Sequence, residues 1–271
     1  MRLTVTTWNI NSVRFRIESV VRFLKQVRPD VLCLQETKCP NDAFPLKRLK
    51  RLGYEHAAIH GQKGYHGVAV ISRLPFASSA PQQFCGKEDC RHIAVTLGEQ
   101  AGLKDPLTLH NFYVPAGGDI PDPNLNEKFR HKLQFLDEMR DSALLTAAAS
   151  ERMLLVGDLN VAPLEHDVWN HKQLLKIVSH TPIECEKLVA AQRAGQWVDT
   201  MRAFIPEPEK LYTWWSYRSP DWERADKGRR LDHVWASPAL ADRVAAIQVL
   251  KAPRGWEQPS DHVPVTATLE V

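Results

Sequence analysis

Met153-Leu154-Leu155-Val156-Gly157-Asp158-Leu159-Asn160 is the stretch that decides how this chain is read. Four consecutive apolar residues suit a strand buried on both faces, because a run this short and this uniform belongs in a sheet interior. Gly157 closes the run and lets the backbone approach whatever lies at the strand's carboxyl end. There the chain places Asp158 and, two residues later, Asn160. Residues two apart in a strand share a face, so an acceptor-only carboxylate and an amide donor stand side by side. A carboxylate activates or ligates; an amide holds a phosphate oxygen. Asx-type turn residues after a strand look the same, so the functional reading depends on what other segments deliver.

The neighbouring segments repeat the pattern. Residues 2–8 alternate as a strand and end in Trp8-Asn9-Ile10-Asn11. Ser12 is the expected N-cap of a helix whose apolar residues Val13, Ile17, Val20, Val21, Leu24 and Val27 recur at three-four spacing. Val31-Leu32-Cys33-Leu34 is a second buried strand, delivering Gln35-Glu36-Thr37-Lys38 at its end. This strand–helix–strand rhythm predicts a mixed α/β domain. Further strands are expected at 54–59, 68–72, 92–97 and 107–114, the last ending in Asn111-Phe112-Tyr113-Val114-Pro115. A capping-box signature at 123–127 starts a helix that should run to about residue 148, with Leu125, Phe129, Leu133, Leu136 and Met139 on one face. The aromatic stretch 211–217 and residues 230–236, 244–250 and 265–271 complete the expected strands. No linker, low-complexity stretch or repeat interrupts residues 1–271, so a single domain is expected.

Composition excludes several classes. The apolar and charged fractions, 44% and 25%, are those of a globular protein. No apolar run reaches the ~20 residues of a membrane span, and the first residues lack a secretory apolar core. Five cysteines, with no Cys-x-x-Cys, suit reduced thiols in a cytoplasmic protein. The net charge of +3 is only mildly basic, but Lys47-Arg48-Leu49-Lys50-Arg51 and residues 224–230 are basic clusters that suit a polyanion.

The capable polar groups collect at strand ends: Asn9, Asn11, Glu36, Tyr113, Asp158, Asn160, Asp232, Asp261 and His262. Converging strand ends are rigid, which is what an α/β site requires. Carboxylates without a His/Cys cluster favour a hard cation such as Mg²⁺ over zinc. A histidine near an aspartate, with further carboxylates and a metal, suits attack of water on a phosphodiester. The chain has no Gly-x-Ser-x-Gly elbow for a serine hydrolase.

Six segments carry a resemblance: Trp8-Asn9-Ile10-Asn11-Ser12-Val13-Arg14, Leu34-Gln35-Glu36-Thr37-Lys38, Asn111-Phe112-Tyr113-Val114-Pro115, Val156-Gly157-Asp158-Leu159-Asn160, Arg230-Leu231-Asp232 and Ser260-Asp261-His262-Val263-Pro264. In this order the chain resembles the exonuclease III family, close to its bacterial apurinic/apyrimidinic (AP) endonucleases, within the endonuclease/exonuclease/phosphatase superfamily. The resemblance implies a four-layer α/β sandwich of two mixed sheets with helices outside. It implies Mg²⁺- or Mn²⁺-dependent hydrolysis 5′ to an abasic site in duplex DNA, with 3′–5′ exonuclease and 3′-phosphatase activity, by a monomer that uses no membrane. Blocked 3′ ends would then be a second class of substrate. By position Glu36 would be the chief metal ligand, with Asn11 and Asp261 nearby. His262, oriented by Asp232, would contact the scissile phosphate or assist the water, and Asp158 would position or deprotonate the nucleophile. Residue types leave open which of the two is the base. Asn9, Tyr113 and Asn160 would hold phosphate oxygens. Trp214 and Leu231 would line a pocket for a base-less sugar, and Arg14, Lys38, Arg218 and Arg229 would contact DNA. Arg229 stands where some AP endonucleases have tryptophan, and Ala116 where asparagine is frequent; both bear on the ratio of abasic-site to exonuclease activity. A 3′–5′ exonuclease with little abasic-site activity, a phosphoesterase for another substrate and a catalytically inert nucleic-acid-binding module are the alternatives.

Overall fold

The run 153–156 becomes a central strand because both of its faces are covered. The computed structural model describes residues 1–271, with strands β1 (Arg2–Asn9), β2 (Val31–Gln35), β3 (His56–His60), β4 (Val68–Ser72), β5 (Ser78–Ala80), β6 (His92–Leu97), β7 (Leu107–Tyr113), β8 (Met153–Asp158), β9 (Val198–Asp199), β10 (Trp214–Trp215), β11 (Gly228–Arg229), β12 (Asp232–Ala236), β13 (Val244–Val249) and β14 (Val265–Glu270). Two six-stranded sheets form, ordered β13-β14-β1-β2-β4-β3 and β5-β6-β7-β8-β12-β9, with β10 and β11 as a separate ribbon. Each sheet has one parallel pair near its middle, β1 with β2 and β7 with β8.

Leu154 and Val156 point between the sheets, into a buried cluster with Leu3, Val5, Val31 and Val70. Met153 and Leu155 point the other way, against Phe135, Leu136, Met139 and Leu188 of the helices Glu127–Asp141 and Pro182–Ala194. On the far side, Trp8, Leu32, Leu34 and Ile71 pack with Val20, Val21, Phe23 and Leu24 of the helix Ile17–Gln26. The layers are therefore helix, sheet, sheet, helix, the expected four-layer α/β sandwich. One amide pair crosses the apolar middle: Gln35 Nε2 donates to Asn111 Oδ1 at 2.7 Å, and Asn111 Nδ2 donates to the Leu34 and Ala69 carbonyls at 3.0 Å each. Buried amides satisfied this way fix how the sheets sit over one another.

What Gly157 approaches is the neighbouring strand: at φ 140° a Cβ would lie 2.0 Å from the Phe112 carbonyl oxygen. Three local expectations are corrected. Ser12 is no N-cap, and the first helix starts at Ile17. The chain instead keeps pairing with the end of β2, through Ser12 N–H to the Glu36 carbonyl and Val13 N–H to the Thr37 carbonyl. The long helix is capped by Asn126 and ends at Asp141, where extended Ser142 restarts a short turn; Leu125 is 76% exposed, outside that helix. The aromatic stretch 211–217 is a strand only at β10; Thr213 bonds through its backbone to residues 229 and 263, and Trp215 N–H to the Asp261 carbonyl.

Candidate active site

Register brings the polar strand ends together. Across β7, β8 and β12, Tyr113 lies opposite Asp158 and Asp158 opposite Asp232, so three site residues form a row across one sheet end. In the other sheet Asn9 is opposite Gln35, one residue before Glu36. β14 runs antiparallel to β1, which puts the preceding segment, Asp261 and His262, beside the end of β1. Ser260 secures that junction: its hydroxyl donates to the Asn9 carbonyl at 2.6 Å and accepts from His262 N–H at 3.2 Å. Asn11, Glu36, Lys38 and Asn160 are left-handed, with φ of 47°, 50°, 52° and 54°, so the strand ends turn sharply where their side chains meet.

Asn9 joins the two sheets' carboxylates. Its Nδ2 donates to Glu36 Oε1 at 2.9 Å and to Asp158 Oδ2 at 2.8 Å. Asn160 serves Asp158 again, with backbone N–H to Oδ1 at 3.0 Å and Nδ2 to Oδ2 at 3.2 Å; Nδ2 also reaches the Val114 carbonyl at 2.9 Å. Both amides, expected to hold phosphate oxygens, here donate to the Glu36 and Asp158 carboxylates and to the Val114 carbonyl. His262 Nδ1 is 2.8 Å from Asp232 Oδ2, and its Nε2 is 3.7 Å from Asp158 Oδ2. Thr213 Oγ1 accepts the Leu231 and Asp232 N–H groups at 3.0 Å each.

Burial and charge set the protonation states. Burial pushes Asp158 up, with the Asp232 carboxylate helping and His262 and Asn9 opposing, to about 7. Burial alone would lower His262, but the Asp232 and Asp158 carboxylates override it and raise the imidazole to about 10. Burial also works against the Glu36 anion, yet the Lys38 ammonium and the Lys38 and Asn9 hydrogen bonds bring its pKa below the usual value. Asp261 behaves alike, with His262, Trp214 and Asn11 outweighing burial. The Tyr113 phenol is pushed well up by burial and by the charges of Glu36 and Asp158, so it remains a hydrogen-bond donor.

Two groups of side chains could hold a cation. Asp158, Asp232 and His262 offer atoms within 4.8 Å of one another. In this group His262 Nδ1 and Asp232 Oδ2 are already engaged with each other at 2.8 Å, so it fits less well. Glu36, Asn11 and Asp261 fit better. Lys38 Nζ, expected to face DNA, is turned inward and lies 2.8 Å from Glu36 Oε2 and 2.6 Å from Asn11 Oδ1. Those two oxygens therefore already stabilise a positive charge at one point, and hard oxygen donors suit Mg²⁺ or Mn²⁺. Asp261 adjoins them through Asn11 Nδ2 to Oδ1 at 3.1 Å and is held by Trp214 Nε1 to Oδ2 at 2.9 Å.

The site opens into a cleft of ≈ 970 Å³ whose lining includes Glu36, Asn160, Trp214, Leu231, Asp261 and His262. Arg218, Lys227 and Arg229 also line it. Trp214 is half-buried while Trp215 is in the core. Arg229 lies over the Trp214 ring, 5.2 Å from its centroid, and Nη1 donates to the Val178 carbonyl and Ser179 Oγ at 3.1 and 2.8 Å. Arg14 is exposed on the segment after Asn11. Sequence reasoning missed Lys132 and Glu184, which sit behind Asn160. Each left a signal: Lys132 interrupts the apolar face of its helix, and Thr181-Pro182-Ile183-Glu184 spells a capping box.

This architecture and this site define a class. The chain belongs to the endonuclease/exonuclease/phosphatase family, whose model matches residues 6–262. It is 30% identical to exodeoxyribonuclease III of Haemophilus influenzae over 271 residues, 96% of this chain and 97% of that protein. An AP endonuclease structure from Archaeoglobus fulgidus is similar with a TM-score of 0.89 at 32% identity, over 99% of this chain and 100% of that one. A 3′ phosphatase from Neisseria, solved with a product DNA hairpin, has a TM-score of 0.88 at 29% identity over the same shares.

Proposed function

We propose that the chain is a DNA repair nuclease, a phosphodiester hydrolase that cuts 5′ to abasic sites and trims or dephosphorylates 3′ ends. The observation that carries this reading is the single Asn9 amide bonded to both Glu36 and Asp158, beside the His262–Asp232 pair. A metal carboxylate and a candidate base from different sheets thereby face one point at the floor of a cation-lined cleft.

Glu36, with Asn11 and Asp261, would hold Mg²⁺ or Mn²⁺, which when bound offsets charge on a phosphoryl oxygen. Asp158, kept basic by burial and aimed by Asn9 and Asn160, takes the proton of the attacking water. His262, held protonated by Asp232, donates from Nε2 to the phosphoryl group as negative charge develops. Tyr113 supplies a further donor from the next strand. Trp214 and Leu231 form the apolar part of the cleft for the sugar beyond the scissile bond, and Arg14, Arg218 and Lys227 meet backbone phosphates.

Arg229 favours a second reading, a 3′–5′ exonuclease with little abasic-site activity, since a guanidinium in that wall replaces apolar contact with a base-less sugar. The deciding experiment compares kcat/KM on three duplexes: one with an internal abasic analogue, one with a recessed 3′-hydroxyl end and one with a 3′-phosphate. Dominant incision of the first supports the leading reading. Dominant trimming of the second supports the alternative, and inactivity on all three with Mg²⁺ and Mn²⁺ refutes both.

A further inference from the structure

Lys132 and Glu184 come from different helices and are both fully buried. Their ion pair is one contact in a larger set. Lys132 Nζ also donates to the Asn160 carbonyl at 2.7 Å and the Ala116 carbonyl at 3.3 Å. Both Glu184 carboxylate oxygens accept from Ser179 N–H at 3.0 Å, and Oε2 also accepts Thr181 N–H at 3.2 Å. The two ends of this set reach opposite parts of the site. Asn160 is the left-handed residue whose amide groups aim Asp158. Ser179, left-handed at φ 88°, accepts the Arg229 guanidinium that lies over Trp214. The ammonium thus fixes the turn that carries the base, and its carboxylate partner fixes the wall of the sugar side of the cleft.

A buried pair is poor support for stability alone, because apolar replacements of similar volume often fold as well or better. Its directed bonds to two strained segments give it another use. We propose that Lys132 and Glu184 are positioning residues, which lock the Asp158–Asn160 turn and the 178–179 wall of the cleft into one fixed relation. The link runs without a break from Trp214 through Arg229, Ser179, Glu184, Lys132 and Asn160 to Asp158. A small displacement of Asn160 moves the base relative to the phosphate, and misplacement by about 1 Å lowers turnover by on the order of 10²-fold. Neither residue touches the reaction centre, so the loss falls mainly on turnover, with a smaller loss of DNA affinity through the Arg229 wall.

The proposal rests on the nuclease reading for its kinetic test, and a second readout is independent of it. The test variant is Lys132→Met/Glu184→Leu, which removes both charges together and leaves no unpaired ion. On a duplex with one abasic analogue and Mg²⁺, its kcat falls by on the order of 10²-fold, by far more than KM rises, at a temperature below a thermal midpoint that the orphaned Ser179 and Thr181 N–H groups lower. Hydrogen exchange at the Asn160 and Ser179 amides speeds up, with exchange in β1 and β8 unchanged. Lys132→Arg, which keeps the charge and the donors, restores most of kcat. If the double variant does not fold, Glu184→Gln must show the same pattern more weakly. A folded variant with wild-type kcat overturns the proposal. If the wild type cuts none of the three duplexes above, the nuclease reading fails, and exchange alone decides: unchanged rates at Asn160 and Ser179 overturn the proposal there too.

Discussion

Asp158 and His262 are drawn in opposite directions by one neighbourhood, and the rate must record it. As a base Asp158 acts only when unprotonated, so activity rises with pH through an acid limb at or below about 7, since a cation beside Glu36 further favours the carboxylate. As a donor His262 acts only when protonated, so activity falls above about 10. A pH–kcat profile flat from about 5 to 8 contradicts the role of Asp158, and one still flat at about 11 contradicts that of His262. Asp232→Asn should lower kcat by about 10²–10⁴-fold and pull the alkaline limb down, because the imidazolium loses its nearest carboxylate. Arg229→Leu should raise abasic-site incision relative to 3′ trimming, as measured on paired substrates; an unchanged ratio removes Arg229 as a determinant. At this scale residue identities were readable, but their distant partners were not. The Asn160 bond to Asp158 is the Asx turn that Asp158-Leu159-Asn160 suggests, whereas the Asn9 acceptors Glu36 and Asp158 come from segments that no local pattern links to it. The Lys38 contacts to Glu36 and Asn11 were hidden for the same reason, because they form only once β1 and β2 are paired.

Strands were legible because their apolar runs have to be covered on both sides, and 153–156 met that requirement with alternate residues on alternate layers. The ends of elements were harder. Ser12 has the composition of a cap, yet pairing with the end of β2 outweighs it and delays the helix to Ile17. The Gly157 turn gives the sharpest test of the packing: Gly157→Ala drives a Cβ into the Phe112 carbonyl. It should cost on the order of 3 kcal/mol in denaturant unfolding, and a loss below about 0.5 kcal/mol would show that β7 and β8 are not packed so closely.

Over the whole molecule, the four-layer arrangement could be anticipated from the strand–helix rhythm together with the six ordered motifs. The cleft could not, since it is made by loops that no periodicity describes. Its Arg218 and Lys227 give a testable electrostatic footprint. Duplex affinity should fall linearly on a log–log plot against salt, and Lys227→Ala should reduce the slope by about 1; a salt-independent affinity would argue for a substrate other than DNA. No helix is long and apolar enough to cross a membrane. The most direct test of a cation-dependent centre built from both sheets is cleavage of a duplex with one abasic analogue, by the wild type and by Glu36→Gln, in Mg²⁺ and in chelator. A single cut 5′ to the lesion, lost in chelator and lowered by orders of magnitude in Glu36→Gln, is the expected result. Equal cutting in chelator, or a wild-type rate from Glu36→Gln, would contradict it.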